Sequence, residues 1–165
     1  MKNIVLIGIM GCGKTTCGKV LSQKLQNFEF LDTDFEIELQ QNMKISQIFV
    51  QFGETHFRSL ENNLIKQIVK NSNKIVATGG GIVENPQNLS LLLKYDTVFY
   101  LNTPLETVKT RIQNDKTRPL ASNFEEKFKN REAKYNQAHF VIDTFNKDVN
   151  QICDEIIGKY YERNS

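Results

Sequence analysis

The run Gly8-Ile9-Met10-Gly11-Cys12-Gly13-Lys14-Thr15 constrains this chain more than any other part of it. It matches G-x-x-x-x-G-K-[ST] in full. It follows an apolar stretch, residues 3–8, that reads as a buried strand. It opens a segment, residues 14–26, that carries Val20, Leu21 and Leu25 on one helical face. A strand, a glycine loop and a helix in that order make a phosphate cradle. The glycines let the backbone wrap closely around phosphate oxygens, while backbone N–H groups and the helix N-terminus attract the anion. Lys14 is expected at the β- and γ-phosphates and the Thr15 hydroxyl on Mg²⁺. Gly11, Cys12, Gly13, Lys14, Thr15 and Thr16 form the expected nucleotide-contact set.

The rest of the chain repeats the alternation. Residues 28–31, 74–78, 97–101 and 140–143 read as further short strands, with helical patterns between them and a closing helix at 149–161. Such spacing indicates βαβ units, hence an α/β protein with a five-stranded parallel sheet flanked by helices in three layers. Ligands in such sheets gather at the carboxyl ends of the strands. At 165 residues, the whole chain, 1–165, is expected to be one domain with one core. A net charge of +2 is too small to argue for nucleic acid or an anionic membrane. Cys12, Cys17 and Cys153 have no metal-ligand spacing with His56 or His139 and suggest reduced thiols in a cytoplasmic protein. The opening MKNIVLIGIM superficially resembles a signal peptide, but GCGKTT directly after it argues for strand and phosphate loop.

Two stretches look less regular: residues 34–60, and the polar run 114–124 broken by Pro119. Both read as excursions from the sheet. The first begins just after Asp32-Thr33-Asp34. If that segment is extended, both carboxylates point to one face; alternatively, an acid there caps a helix or is solvated. A guanine-reading N-K-x-D is missing, because Asn146-Lys147-Asp148 lacks the spacer. A small kinase remains, and its acceptor is the open question. A nucleoside monophosphate acceptor would favour a dense Arg clamp, whereas residues 34–60 hold one Arg and one Lys.

Five further pieces carry a resemblance. They are Asp32-Thr33-Asp34, the run IFVQFGETHFRSLE with Ile48, Phe49, Gly53, Glu54, Phe57, Arg58 and Glu61, the glycine run Thr78-Gly79-Gly80-Gly81, Arg118-Pro119-Leu120, and Arg131 with Tyr135. Together with the phosphate loop, in this order and spacing, they resemble the shikimate kinase family over most of the chain. The resemblance implies a P-loop kinase fold with an acceptor-binding segment at about 33–61 and a mobile lid at about 112–124. It implies ATP-dependent phosphorylation of the shikimate 3-hydroxyl by a monomeric cytoplasmic enzyme that needs Mg²⁺ and neither nucleic acid nor membrane.

Residue roles follow from the same resemblance. Lys14, Asp34 and Arg118 are the catalytic set, with Asp34 on the acceptor hydroxyls. Asp32 joins Thr15 at the metal. Arg58 and Arg131 take the shikimate carboxylate, which suits the guanidinium fork. Glu61, Gly79, Gly80 and Gly81 line the acceptor, and Phe49 and Phe57 cover its ring or pack the core. Arg111 is implied at adenine and Arg118 at the phosphates. Two departures stand out: Ser46 where many members have Pro, and Ala121 where the lid usually has Leu. Two alternatives stay open here, a kinase for another small acceptor such as gluconate or a nucleotide, and a nucleotide-dependent module without catalysis.

Overall fold

Ile4–Ile7 forms strand β1, and all four of its side chains are fully buried. A strand buried on both faces needs pairing partners on both edges and helices above and below. The computed structural model, which describes residues 1–114 and 123–165, supplies both. Four further strands are Glu29–Asp32 (β2), Lys74–Ala77 (β3), Thr97–Asn102 (β4) and Phe140–Asp143 (β5). They pair in parallel in the order β2-β3-β1-β4-β5, with Leu6 opposite both Ala77 and Phe99. The five-stranded parallel sheet expected from the alternation is therefore present, and β1 lies at its centre.

Seven helices are described: Lys14–Lys24 (α1), Thr33–Gln41 (α2), Ile45–Ile68 (α3), Pro86–Tyr95 (α4), Leu105–Gln113 (α5), Phe124–Tyr135 (α6) and Val149–Asn164 (α7). A single 3₁₀ turn, Ile82–Glu84, precedes α4. Helix α1 packs against α7, and α3 against α4. Because every strand runs the same way, the segments after β1, β2, β3, β4 and β5 emerge at one edge of the sheet. Among the described residues, no helix is long and apolar enough to cross a membrane.

The segment 34–60 is not irregular, contrary to the sequence expectation. It is α2 followed by most of α3. Asp32 starts α2 by accepting hydrogen bonds at Oδ1 from the backbone N–H groups of Asp34 (3.1 Å) and Phe35 (3.3 Å). Asn42, left-handed at φ 47°, ends it. Helix α3 is broken at Gly53, whose φ of 82° and ψ of 173° lie in a region essentially confined to glycine. That break shifts the phase of the apolar pattern, which is why the run reads as irregular.

Asp96, between α4 and β4, is a buried carboxylate away from the glycine loops, with 2% exposure and one oxygen, Oδ2, lacking a hydrogen-bond partner. Burial pushes its pKa up to about 6, against the opposing pull of Asn3 and Lys2. A folded-state pKa above the unfolded value means stability is fullest below about pH 4 and falls as pH rises through about 6, by up to about 3 kcal/mol. Asp96→Asn should therefore raise the thermal midpoint at pH 7.5 and lose that advantage near pH 4. Thermal melts at both pH values check this; an equal gain at both would contradict it.

Candidate active site

Two glycine loops leave the two central strands side by side. The first, Gly8 to Gly13, follows β1; the second, Gly79 to Gly81, follows β3. They touch backbone to backbone: a Cβ placed on Gly80 would sit 3.0 Å from the amide nitrogen of Met10. Only a residue without a side chain permits that approach.

In the first loop, the Lys14 ammonium is buried and donates to the carbonyls of Gly8 (2.7 Å) and Ile9 (2.9 Å), with Cys12 Sγ at 3.6 Å. The Cys12 side chain is buried, and its backbone N–H donates to Ile9 O at 3.2 Å. Its carbonyl accepts from Thr103 Oγ1 (3.2 Å), which shares a second hydrogen bond with Thr144 Oγ1 (2.7 Å). Thr103 and Thr144 follow β4 and β5 and brace the loop from the side. Neither is expected in that bracing role from the sequence, where Thr144 belongs only to a segment, 144–146, that loosely resembles the family's adenine loop. Arg111, on α5, reaches over the loop and donates from Nη1 to Gly11 O at 3.2 Å. Thr16 lies in the first turn of α1, beside Thr15.

Asp32 joins the first loop to helix α2. Its Oδ2 accepts from Thr15 Oγ1 at 2.8 Å while its Oδ1 caps the helix. Capping and metal binding are alternatives for this acid on the sequence alone; in the structure one oxygen caps, and the other joins Thr15 in a pair of hard oxygen donors of the kind Mg²⁺ takes. Among the described residues, no group of three or more His, Cys, Asp or Glu side chains gathers for a metal. Asp34 does not lie two positions along an extended strand, the condition under which both carboxylates would share a face. The strand stops at Asp32, and Asp34 stands in the first turn of α2.

That turn brings Asp34 against the second loop. A Cβ on Gly79 would lie 2.6 Å from Asp34 Oδ1 and 3.3 Å from Glu61 Oε1, and one on Gly81 would lie 2.5 Å from both terminal nitrogens of Arg58. Thr33 Oγ1 holds the loop by accepting from Gly79 N at 3.0 Å. Arg58 and Glu61, one turn apart on α3, pair at 2.6 Å, and Arg58 also reaches Glu54 at 3.2 Å. Glu61 is 1% exposed. Burial raises its carboxyl pKa, and this outweighs the lowering effect of Arg58; nearby Asp34 raises it further. Burial works against the charge of Arg58, but Glu61 and Glu54 outweigh it and hold the guanidinium pKa above its ordinary value. Arg58 Nε and Glu61 Oε1 are buried without a hydrogen-bond partner, a donor and an acceptor in one cleft.

Helix α6 closes the far side. Arg131 Nε pairs with Glu84 Oε1, Lys134 reaches Glu84 Oε2 at 3.3 Å, and the Tyr135 hydroxyl donates to Gly80 O. Tyr135 also stacks on Tyr100 with ring centroids 5.1 Å apart. Phe57 is buried in the core, and half-buried Phe49 packs on it with centroids 4.9 Å apart. Arg118 and most of the expected lid lie outside the described residues.

The family model for shikimate kinase matches residues 10–161. A shikimate kinase of Macrococcus caseolyticus is 43% identical over 157 residues, covering 92% of each chain. One of Persephonella marina is 42% identical over 163 residues, covering 96% of this chain and 99% of its own. Among solved structures, a shikimate kinase from Acinetobacter baumannii in complex with shikimate superposes with a TM-score of 0.89 at 34% identity, over 99% of this chain and 94% of the other.

The crowding at Gly79 generates a direct test. Its φ is not in the left-handed region, so alanine fits the backbone, but the new methyl falls on Asp34 Oδ1. Gly79→Ala should keep nucleotide affinity and cut acceptor-dependent ADP formation by at least about tenfold, as a displaced reacting group does. Full activity in the folded variant would show that Asp34 does not need this position.

Proposed function

Because the chain belongs to the shikimate kinase family and catalyses the ATP-dependent phosphorylation of shikimate in aromatic biosynthesis, we propose that its two glycine loops divide the reaction between donor and acceptor. The γ-phosphoryl group lies in the first loop. The shikimate ring lies against the second, with its 3-hydroxyl toward the first. The observation that carries this reading is two buried, unpartnered atoms at the second loop: Glu61 Oε1 beside Gly79, and Nε of Arg58, whose guanidinium lies against Gly81. Leaving such atoms unpaired costs about 1–3 kcal/mol each, and a ligand bearing a carboxylate and hydroxyls satisfies both.

On the donor side, Lys14 exchanges the carbonyls of Gly8 and Ile9 for β- and γ-phosphate oxygens, so its charge enters from a site already built. Backbone N–H groups of Gly11, Gly13, Thr15 and Thr16 hold the remaining oxygens, that of Cys12 joins them by leaving Ile9 O, and Arg111 flanks the nucleotide. Thr15 and Asp32 fit Mg²⁺ as a hydroxyl and a carboxylate 2.8 Å apart, with Asp32 acting through water. When bound, the ion neutralises charge on the β- and γ-phosphates. Arg118 is assigned to the same charge from the lid.

On the acceptor side, Arg58 and Arg131 grip the shikimate carboxylate. Glu61 and Asp34 accept from its hydroxyls, and the glycine run lets the ring approach the backbone. Asp34 receives the 3-hydroxyl proton as the oxygen attacks the γ-phosphorus and the bond from that phosphorus to the bridging oxygen breaks, releasing ADP. Phosphoryl transfer depends mostly on position and electrostatics, so this carboxylate needs placement more than an unusual pKa. We read the chain as one kinase domain over 1–165, acting as a cytoplasmic monomer on its two small substrates, without nucleic acid or membrane.

ADP release with Mg·ATP tests the acceptor. Shikimate alone should stimulate it, with shikimate 3-phosphate identified by mass, while gluconate, CMP and AMP should not. Stimulation by another acceptor and not by shikimate would overturn the reading. Asp34→Asn should lower kcat by about 10²–10⁴-fold, the usual contribution of a positioned base. Near-normal turnover in that variant would remove Asp34 from proton transfer.

A further inference from the structure

We infer that Glu84 is a positioning residue for the acceptor carboxylate, acting through Arg131. The inference rests on the reading of Arg131 given above. Glu84 ends the 3₁₀ turn that follows the second glycine loop, and its two oxygens meet two cations of α6: Oε1 pairs with Arg131 Nε and Oε2 with Lys134 Nζ at 3.3 Å. Arg131, Lys134 and Tyr135 occupy one face of that helix. Tyr135 anchors the face to Gly80 O, so α6 is tied to the glycine loop at one point and to its exit turn at another. Arg131 is held by Nε, the nitrogen at the side of the guanidinium. Glu84 therefore does not occupy the terminal fork, which is the part that matches a carboxylate.

The charges support the same role. Burial alone would raise the Glu84 carboxyl pKa, but its bonds to Arg131 and Lys134 outweigh this and lower it, so the group stays anionic at neutral pH. Two cations around one anion leave the cluster with a net positive charge, which suits an anionic ligand and limits the repulsion Glu84 would otherwise add. Without Glu84, a long side chain regains rotamer freedom that it must lose again on binding substrate.

A steady-state double-mutant cycle tests this. Glu84→Ala should raise the KM for shikimate about tenfold, the scale of one hydrogen bond to a charged group. It should leave kcat and the KM for ATP within about twofold, because an interaction made equally in ground and transition states moves KM alone. Glu84→Gln keeps an oxygen for Arg131 Nε and should recover most of the loss. In an Arg131→Ala background, removing Glu84 should add nothing further to the shikimate KM. Glu84→Ser replaces the alanine variant should that one fail to fold. A shikimate KM unchanged in Glu84→Ala, or an effect that persists undiminished in the Arg131→Ala background, would overturn the inference while leaving Arg131 in the site. An Arg131→Ala variant with an unaltered shikimate KM would instead overturn the reading of Arg131, and this inference with it.

Discussion

The parallel pairing of β1 with β3 is the contact on which the geometry of the site rests. Each strand ends in a glycine loop, and adjacent strands in register put those loops in contact, with Gly80 against the Met10 amide. In the division of labour proposed above, a donor phosphate held by one loop and a hydroxyl held by the other would then meet without any long-range motion of the sheet. Because β1 is buried on both faces by apolar packing, the cradle it feeds is fixed by the core, not by loop contacts alone. The hydrogen bonds from Thr103 to Cys12 O and from Gly79 N to Thr33 complete the bracing from either side.

Charge is arranged in the site by the same few elements. Asp32 caps a helix with one oxygen and meets Thr15 with the other, so the residue that starts α2 also sets the distance between the Thr15–Asp32 pair and Asp34. Glu61 and Arg58 neutralise one another beside the second glycine loop, the acceptor site proposed above, where either charge alone would be costly to bury. Each nonetheless keeps one polar atom unsatisfied. A cleft built in this way is pre-organised for a polar ring, since the protein has already met the desolvation cost that a ligand relieves.

Much of this is legible in the residues. The phosphate loop announces itself by glycine spacing and by the strand before it, and the alternation of short apolar runs with helical patterns is local information. Asp32, Asp34, Arg58, Glu61 and the glycine run are legible as a motif. Their convergence is not, because it depends on a helix cap at Asp32 and on a break at Gly53 that aims the second half of α3. A period-counting argument loses phase at such a glycine, and so 34–60 looks irregular. Thr103 and Glu84 are not legible as parts of a site, nor are the bracing roles of Thr33 and Thr144, which the resemblance places in the D-x-D motif and, loosely, in an adenine loop. Each is an ordinary polar residue whose partner lies far along the chain, as with Glu84 and Arg131, 47 positions apart.

Spacing within short windows, and residue chemistry that no neighbour changes, were enough to specify the five strands, the phosphate cradle and the family. Three things waited on tertiary packing: that β3 inserts between β1 and β2, that the two glycine loops therefore touch, and which atoms of Asp32, Arg58 and Glu61 already have partners. Strand order, backbone approach and hydrogen-bond saturation are properties of pairs of segments distant in sequence. No window of the chain contains both members of such a pair, and packing a single core settles all of them together.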